Sequence, residues 1–90
     1  MIELNKSFII TQEKGIHFRS VAKFTKICQA HDVQVILRKE ESRKTAESSN
    51  TMGILLLGII KGDNVNFNIK GVCEESVKGA AQAFKIAFAS

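Results

Sequence analysis

Along residues 2–10, IELNKSFII, the apolar side chains Ile2, Leu4, Phe8 and Ile10 recur at every second position, and Lys6 breaks the row. A period of two belongs to a half-buried strand, and the interruption suits a sheet edge, so a strand is expected over about 3–10. TQEKG (11–15) is polar and closes on glycine, which marks a loop. From Arg19 the period lengthens: Val21, Phe24, Ile27 and Cys28 share one face, with Lys23, Lys26 and Gln29 opposite. That spacing predicts a helix from 18 or 19 to 30, with His17 at its N-cap or just before it.

Alternation returns in VQVILRK (33–39) through Val33, Val35 and Leu37; EES (40–42) reads as a turn and RKTAES (43–48) as a short, charged return strand. In NTMGILLLGII (50–60), Asn50 is a good N-cap for a helix of about two turns, weakened by Gly53 and Gly58. Its residues are apolar nearly all round. Ile54, Leu57 and Ile60 are expected in the core, and some of the rest on the surface. NVNFNIKG (64–71) sends Val65, Phe67 and Ile69 one way and its asparagines and Lys70 the other, a strand with one solvated face. The last segment, EESVKGAAQAFKIAFA, carries Val77, Ala80, Ala81, Phe84 and Phe88 on one stripe. Glu74 and Glu75 in its first turn suit the positive end of a helix dipole.

The order strand, helix, strand, strand, helix, strand, helix fits one domain over residues 1–90. A sheet needs an apolar partner layer, and right-handed crossovers put all the helices on the same side. The expected fold is α+β: a two-layer, open-faced βαββαβα sandwich, four strands covered on one face by three helices.

Composition adds exclusions. The longest apolar run is nine residues, 52–60, against the ~20 a membrane helix needs. The N-terminus, with Glu3 among its first residues, is not a targeting segment. A cytoplasmic protein without membrane insertion is expected. Cys28 and Cys73 form no CxxC or His–Cys cluster, so both are expected as small buried hydrophobes and no metal or cofactor is implied. The net charge is +4. Its basic residues spread over Lys23 and Lys26, over Arg38, Lys39, Arg43 and Lys44, and over Lys70 and Lys78, which suits an acidic partner protein. Nucleic acid is not expected, because Phe67 points inward and no aromatic marks an exposed, base-stacking strand.

GIHFRS (15–20) is the candidate for chemistry. The first N–H groups of a helix have no partner inside it and, with the dipole, make an anion site. A phosphoryl group on His17 would lie over the amides of residues 19–21, with Ser20 and Val21 in the first turn. Arg19 would add a fork-shaped cationic donor. Imidazole has a nitrogen free to attack phosphorus, and Gly15 gives the loop freedom to present the ring. The chain shows no Walker loop, carboxylate pair or metal cluster, so the phosphate must come from another protein. His31, at the far end of the same helix, reads as a charge near a helix C-terminus.

GIHFRSVAKF, followed from residue 50 by NTMGILLLGIIKGDNVNF, resembles the HPr phosphocarriers of the bacterial phosphoenolpyruvate–sugar phosphotransferase system. The resemblance runs the length of the chain; G-I-H-x-R and the M-G-x-x-x-L-G-x-x-x-G stretch from Met52 to Gly62 are its most specific parts. It implies that His17 is phosphorylated by enzyme I, that Arg19 steadies the phosphate, and that Gly15, Phe18, Ser20 and Val21 shape the site. It also implies an apolar docking patch with Met52 and Leu55. The protein would be a monomeric carrier, a co-substrate of phosphotransferases and not an enzyme. It would pass phosphate to a sugar-specific component or a regulatory acceptor. An HPr-like binding module in which transfer is lost or secondary is the alternative.

Three positions depart from the family pattern. Phe18 replaces a small residue, and Ser20 replaces a proline. Asn50 stands where Gram-positive members have a regulatory serine, so the cap is kept and the phosphorylatable hydroxyl is lost. The charged hairpin 38–47 also looks longer than usual, with no functional reading.

Overall fold

A computed structural model describes all residues 1–90 and has the expected element order: β1 (Ile2–Ile9), α1 (Phe18–His31), β2 (Val33–Lys39), β3 (Lys44–Glu47), α2 (Thr51–Leu56), β4 (Asn64–Gly71) and α3 (Glu74–Phe88). The strands form one sheet in the order β1-β4-β2-β3, antiparallel at every pairing. β1 and β2 both flank β4 and therefore run parallel to each other, which is why a helix must carry the chain between them. β4 lies inside the sheet, and its alternation is the cleanest: Val65, Phe67 and Ile69 are fully buried.

While α2 packs beside β3 and α1, the buried face meets α1 and α3 around Phe67. Its ring centroid lies 5.1 Å from that of Phe84 and 5.4 Å from that of Phe8. Phe24 of α1 and Phe88 of α3 complete the aromatic group at 6.3 and 6.5 Å from Phe67. Such rings bury large apolar area and gain edge or offset contacts besides. Of the six phenylalanines, the one outside this core is Phe18. The opposite face of the sheet is polar, with Asn66 bonded to Ser7 and Asn68 to Glu3 and Asn5 across the β1–β4 pair. It carries no exposed aromatic ring.

Three expectations need correction. Ile60 is exposed and Ile59 takes its place in the core. The reason is local: α2 ends at Leu56, and Gly58 adopts φ +63°, so helical spacing from Ile54 and Leu57 no longer applies. Cys28 is buried, and burial pushes its thiol up to about 11. Cys73, by contrast, is exposed at the N-cap of α3 with its Sγ 3.2 Å from Ser76 Oγ, a contact that holds the thiol below its ordinary range. Third, Ile10 is fully buried but lies just past β1, its N–H bonded to the Asp63 carbonyl at 2.9 Å.

Asn50 caps α2 as read from the sequence: its Oδ1 accepts the Gly53 N–H at 2.9 Å. Asn50→Ala is expected to lower stability by about 1 kcal/mol, the usual worth of such a cap. Asn50→Ser should be near neutral. Chemical denaturation of the two variants checks both.

Candidate functional site

The site begins with a loop that has little freedom. Gly15 adopts φ +63°, and a Cβ there would stand 2.2 Å from the Ile59 carbonyl oxygen. Backbone packs against backbone at this point. The Ile16 N–H donates to that carbonyl at 3.0 Å, and the Ile16 side chain is buried. Immediately afterwards His17, in extended conformation (φ −120°, ψ −172°), caps α1.

His17 caps with its ring. Nδ1 accepts the Arg19 backbone N–H at 3.3 Å. An acceptor nitrogen carries its lone pair toward the donor, so in the neutral ring the proton sits on Nε2. The imidazole thus turns Nδ1 toward the start of the helix, and the side chain is half-exposed. The backbone N–H groups of Phe18 and Ser20 have no backbone acceptor. The Val21 amide differs from expectation: it donates to the His17 carbonyl at 3.0 Å, and the Val21 side chain is buried. Val21 therefore belongs to the core and to the first helical hydrogen bond, not to the anion site.

Ser20 explains how the chain manages without proline at the first turn. It is buried, and its Oγ donates to the Gly15 carbonyl at 3.4 Å, a long bond tying the helix start back to the loop. Phe18 lies 73% exposed, so its ring stands in solvent instead of in the core. Arg19 is exposed and its guanidinium makes no ion pair within the molecule.

His17, Arg19 and Ser20 line a shallow depression of about 140 Å³ together with Gln12, Lys23, Ala87 and Phe88. The far wall is the end of α3. Gln12 Nε2 donates to the Ala87 carbonyl at 2.9 Å, which fixes the loop before His17 to that helix. Reading the sequence missed Lys23 and Gln12 as site residues. Lys23 sits one turn after Arg19, an i,i+4 spacing that places both cations on one helix face. Gln12 gave no local signal, because its role depends on where α3 ends.

The second patch divides. Met52 is 64% exposed, whereas Leu55, also expected in the docking patch, is half-buried against the core. Leu56, 74% exposed, presents the larger apolar surface of α2. Ile60, exposed at 62%, adds to the same class of surface.

A family model described as the PTS HPr component phosphorylation site matches residues 4–89. The chain belongs to the HPr family. Among relatives, the phosphocarrier protein NPr of Escherichia coli K12 is 31% identical over 74 residues, covering 82% of this chain and 81% of its own. The crystal structure of the phosphocarrier protein HPr from Bacillus anthracis superposes with a TM-score of 0.80 over 96% of both chains, at 20% identity. HPr from Thermoanaerobacter tengcongensis gives 0.73 at 25% identity over 97% of this chain and 94% of its own. The open-faced sandwich is thus the HPr fold, and the chain is a phosphoryl carrier of the phosphotransferase system. HPr proteins carry phosphate and do not catalyse a reaction, and they interact with enzymes of that system. The alternative of a binding module that has lost transfer is not favoured. No helix of the molecule is long and apolar enough to cross a membrane.

Proposed function

We infer that His17 takes the phosphoryl group on Nδ1 from phosphorylated enzyme I and hands it to a sugar-specific or regulatory acceptor. The protein serves both reactions as a co-substrate. The observation that carries this reading is the Arg19 N–H pointing at Nδ1. In the transfer, the Nδ1 lone pair forms the N–P bond while the bond from phosphorus to the donor breaks, its electron pair staying with the donor. The Arg19 N–H then passes from Nδ1 to a phosphoryl oxygen. The unpartnered N–H groups of Phe18 and Ser20 lie at the same helix start, where the dipole favours negative charge. Arg19 and Lys23 add two cations along the depression, and charge-assisted bonds to phosphate are the stronger kind.

Phosphorus NMR after incubation with phosphoenolpyruvate and enzyme I of the same organism tests the reading. An acid-labile phosphohistidine resonance is expected. Its absence, with an enzyme I active on another HPr, would sink it.

Phe18 takes the role of a contact for the partner. The ring stands exposed on the residue that follows His17, within the surface an enzyme I that reaches His17 would meet. Phe18→Ala is expected to lower kcat/KM with the native enzyme I about tenfold through KM, since burying part of a Phe side chain is worth on the order of 1.5 kcal/mol. Steady-state phosphorylation kinetics check this. An unchanged or improved KM would show that the partner leaves the ring in solvent.

A further inference from the structure

The segment behind the His17 loop contains two glycines and is tied by two charged side chains. Residues 57–63 join α2 to β4, and the two glycines among them, Gly58 and Gly62, have positive φ, +63° and +93°. Glycines in that conformation leave a chain free to sample alternatives. Two charged side chains hold it. Lys39, the last residue of β2, donates from Nζ to the Gly58 carbonyl at 3.0 Å. Asp63 accepts the Ile60 N–H through Oδ2 at 2.9 Å, and its own N–H donates to the Ile60 carbonyl at 3.1 Å.

The two side chains meet each other at 3.5 Å and are largely buried, at 17% and 13% exposure. The other ion pairs of the molecule are far more open to solvent. Between the two fixed points lies Ile59, whose carbonyl receives the Ile16 N–H and stands where a Gly15 Cβ would be. The connection runs from the Lys39–Asp63 pair to the Ile59 carbonyl, to Ile16, and so to the neighbouring His17.

We propose that Lys39 and Asp63 are positioning residues for phosphoryl transfer. By pinning Gly58 and Ile60 they fix the Ile59 carbonyl, and through it the height at which His17 holds Nδ1 at the start of α1. The inference rests on the reading that His17 is the acceptor. A surface pair of this kind would contribute little. Its burial makes the loss of one partner costly, because the other charge is left unpaired.

The test compares wild type, Asp63→Ala, Asp63→Asn and Lys39→Met as phosphate acceptors from enzyme I, each at a temperature where it is folded. Asp63→Ala is expected to lower kcat about tenfold with a smaller change in KM, because Phe18, Met52 and Leu56 keep their exposed positions while the nucleophile is displaced. Asp63→Asn keeps an acceptor for the Ile60 N–H and should recover part of the loss. Lys39→Met loses the bond to the Gly58 carbonyl but keeps both Asp63 bonds to Ile60, and serves where Asp63→Ala does not fold; it should lower kcat in the same sense. The Ile16 and Arg19 amide resonances should move in each impaired variant. Variants that lose thermal stability but keep wild-type kcat and unmoved Ile16 and Arg19 resonances would overturn the proposal. Failure of the underlying reading looks different: wild type itself would stay unphosphorylated, or His17→Ala would be labelled like wild type.

Discussion

His17→Ala is expected to give a folded protein that accepts no phosphate. The imidazole is half-exposed and contributes nothing to the apolar core, so its removal leaves packing unchanged. What is lost structurally is one cap, the bond from the Arg19 N–H to Nδ1. Loss of an N-cap acceptor costs about 1 kcal/mol, which in a domain of this size lowers Tm by roughly 4–8 °C. The phosphorus resonance, in contrast, is expected to disappear entirely, because the imidazole that takes the phosphoryl group is gone. His17→Asn separates the two effects. Asparagine caps well but offers no imidazole nitrogen, so stability should return to near wild type while phosphorylation stays absent. A phosphohistidine signal persisting in His17→Ala would move the site to His31, at the opposite end of α1.

Gly15→Ala carries the second large effect. The substituted residue would need φ +63° and would bring its Cβ to 2.2 Å from the Ile59 oxygen and 2.6 Å from the Ile60 Cα. Both atoms are backbone, so nothing nearby can rotate away. Left-handed strain and overpacking each cost on the order of 1–3 kcal/mol, so a loss of about 3 kcal/mol or more is expected. Gly58 is the control. Its φ is also +63°, but a Cβ there would meet nothing within 4 Å. Gly58→Ala should therefore lose only the conformational part, about 1–2 kcal/mol. Urea unfolding of the two variants gives the comparison. Equal losses would mean that close packing of Gly15 on the Ile59–Ile60 backbone does not hold the His17 loop. With the larger loss, phosphorylation of Gly15→Ala should also slow, since the loop that carries His17 must separate from Ile59.

Much of this was legible in one dimension. Alternation in β4 and the apolar stripe of α3 named Val65, Phe67, Ile69, Phe84 and Phe88 as core, and all five are buried. Side-chain direction repeats every two residues in a strand and every 3.6 in a helix, so such elements announce their buried face locally. His17 was legible for a similar reason: a cap position follows from where the helical period starts. The pattern misled where regular backbone ended. Ile60 continued the helical spacing on paper, but Gly58 had already turned the chain and delivered Ile59 to the core. Cys73 looked like a small hydrophobe until α3 began just after it and left it at an exposed cap.

By itself, then, the sequence determined the seven elements, their order, the core stripe of each and the identity of the histidine that heads α1. Only the tertiary structure decided what surrounds that histidine. Gln12 and Lys23 enter the site because the end of α3 closes against the start of α1. Leu56 faces solvent where Leu55 does not, because the packing partner of α2 lies on one side. Lys39 and Asp63 meet across 24 residues of chain. Periodicity is a property of neighbouring residues. A site built from a loop, two helix ends and a buried ion pair depends on distances that close only when the sheet and helices have packed.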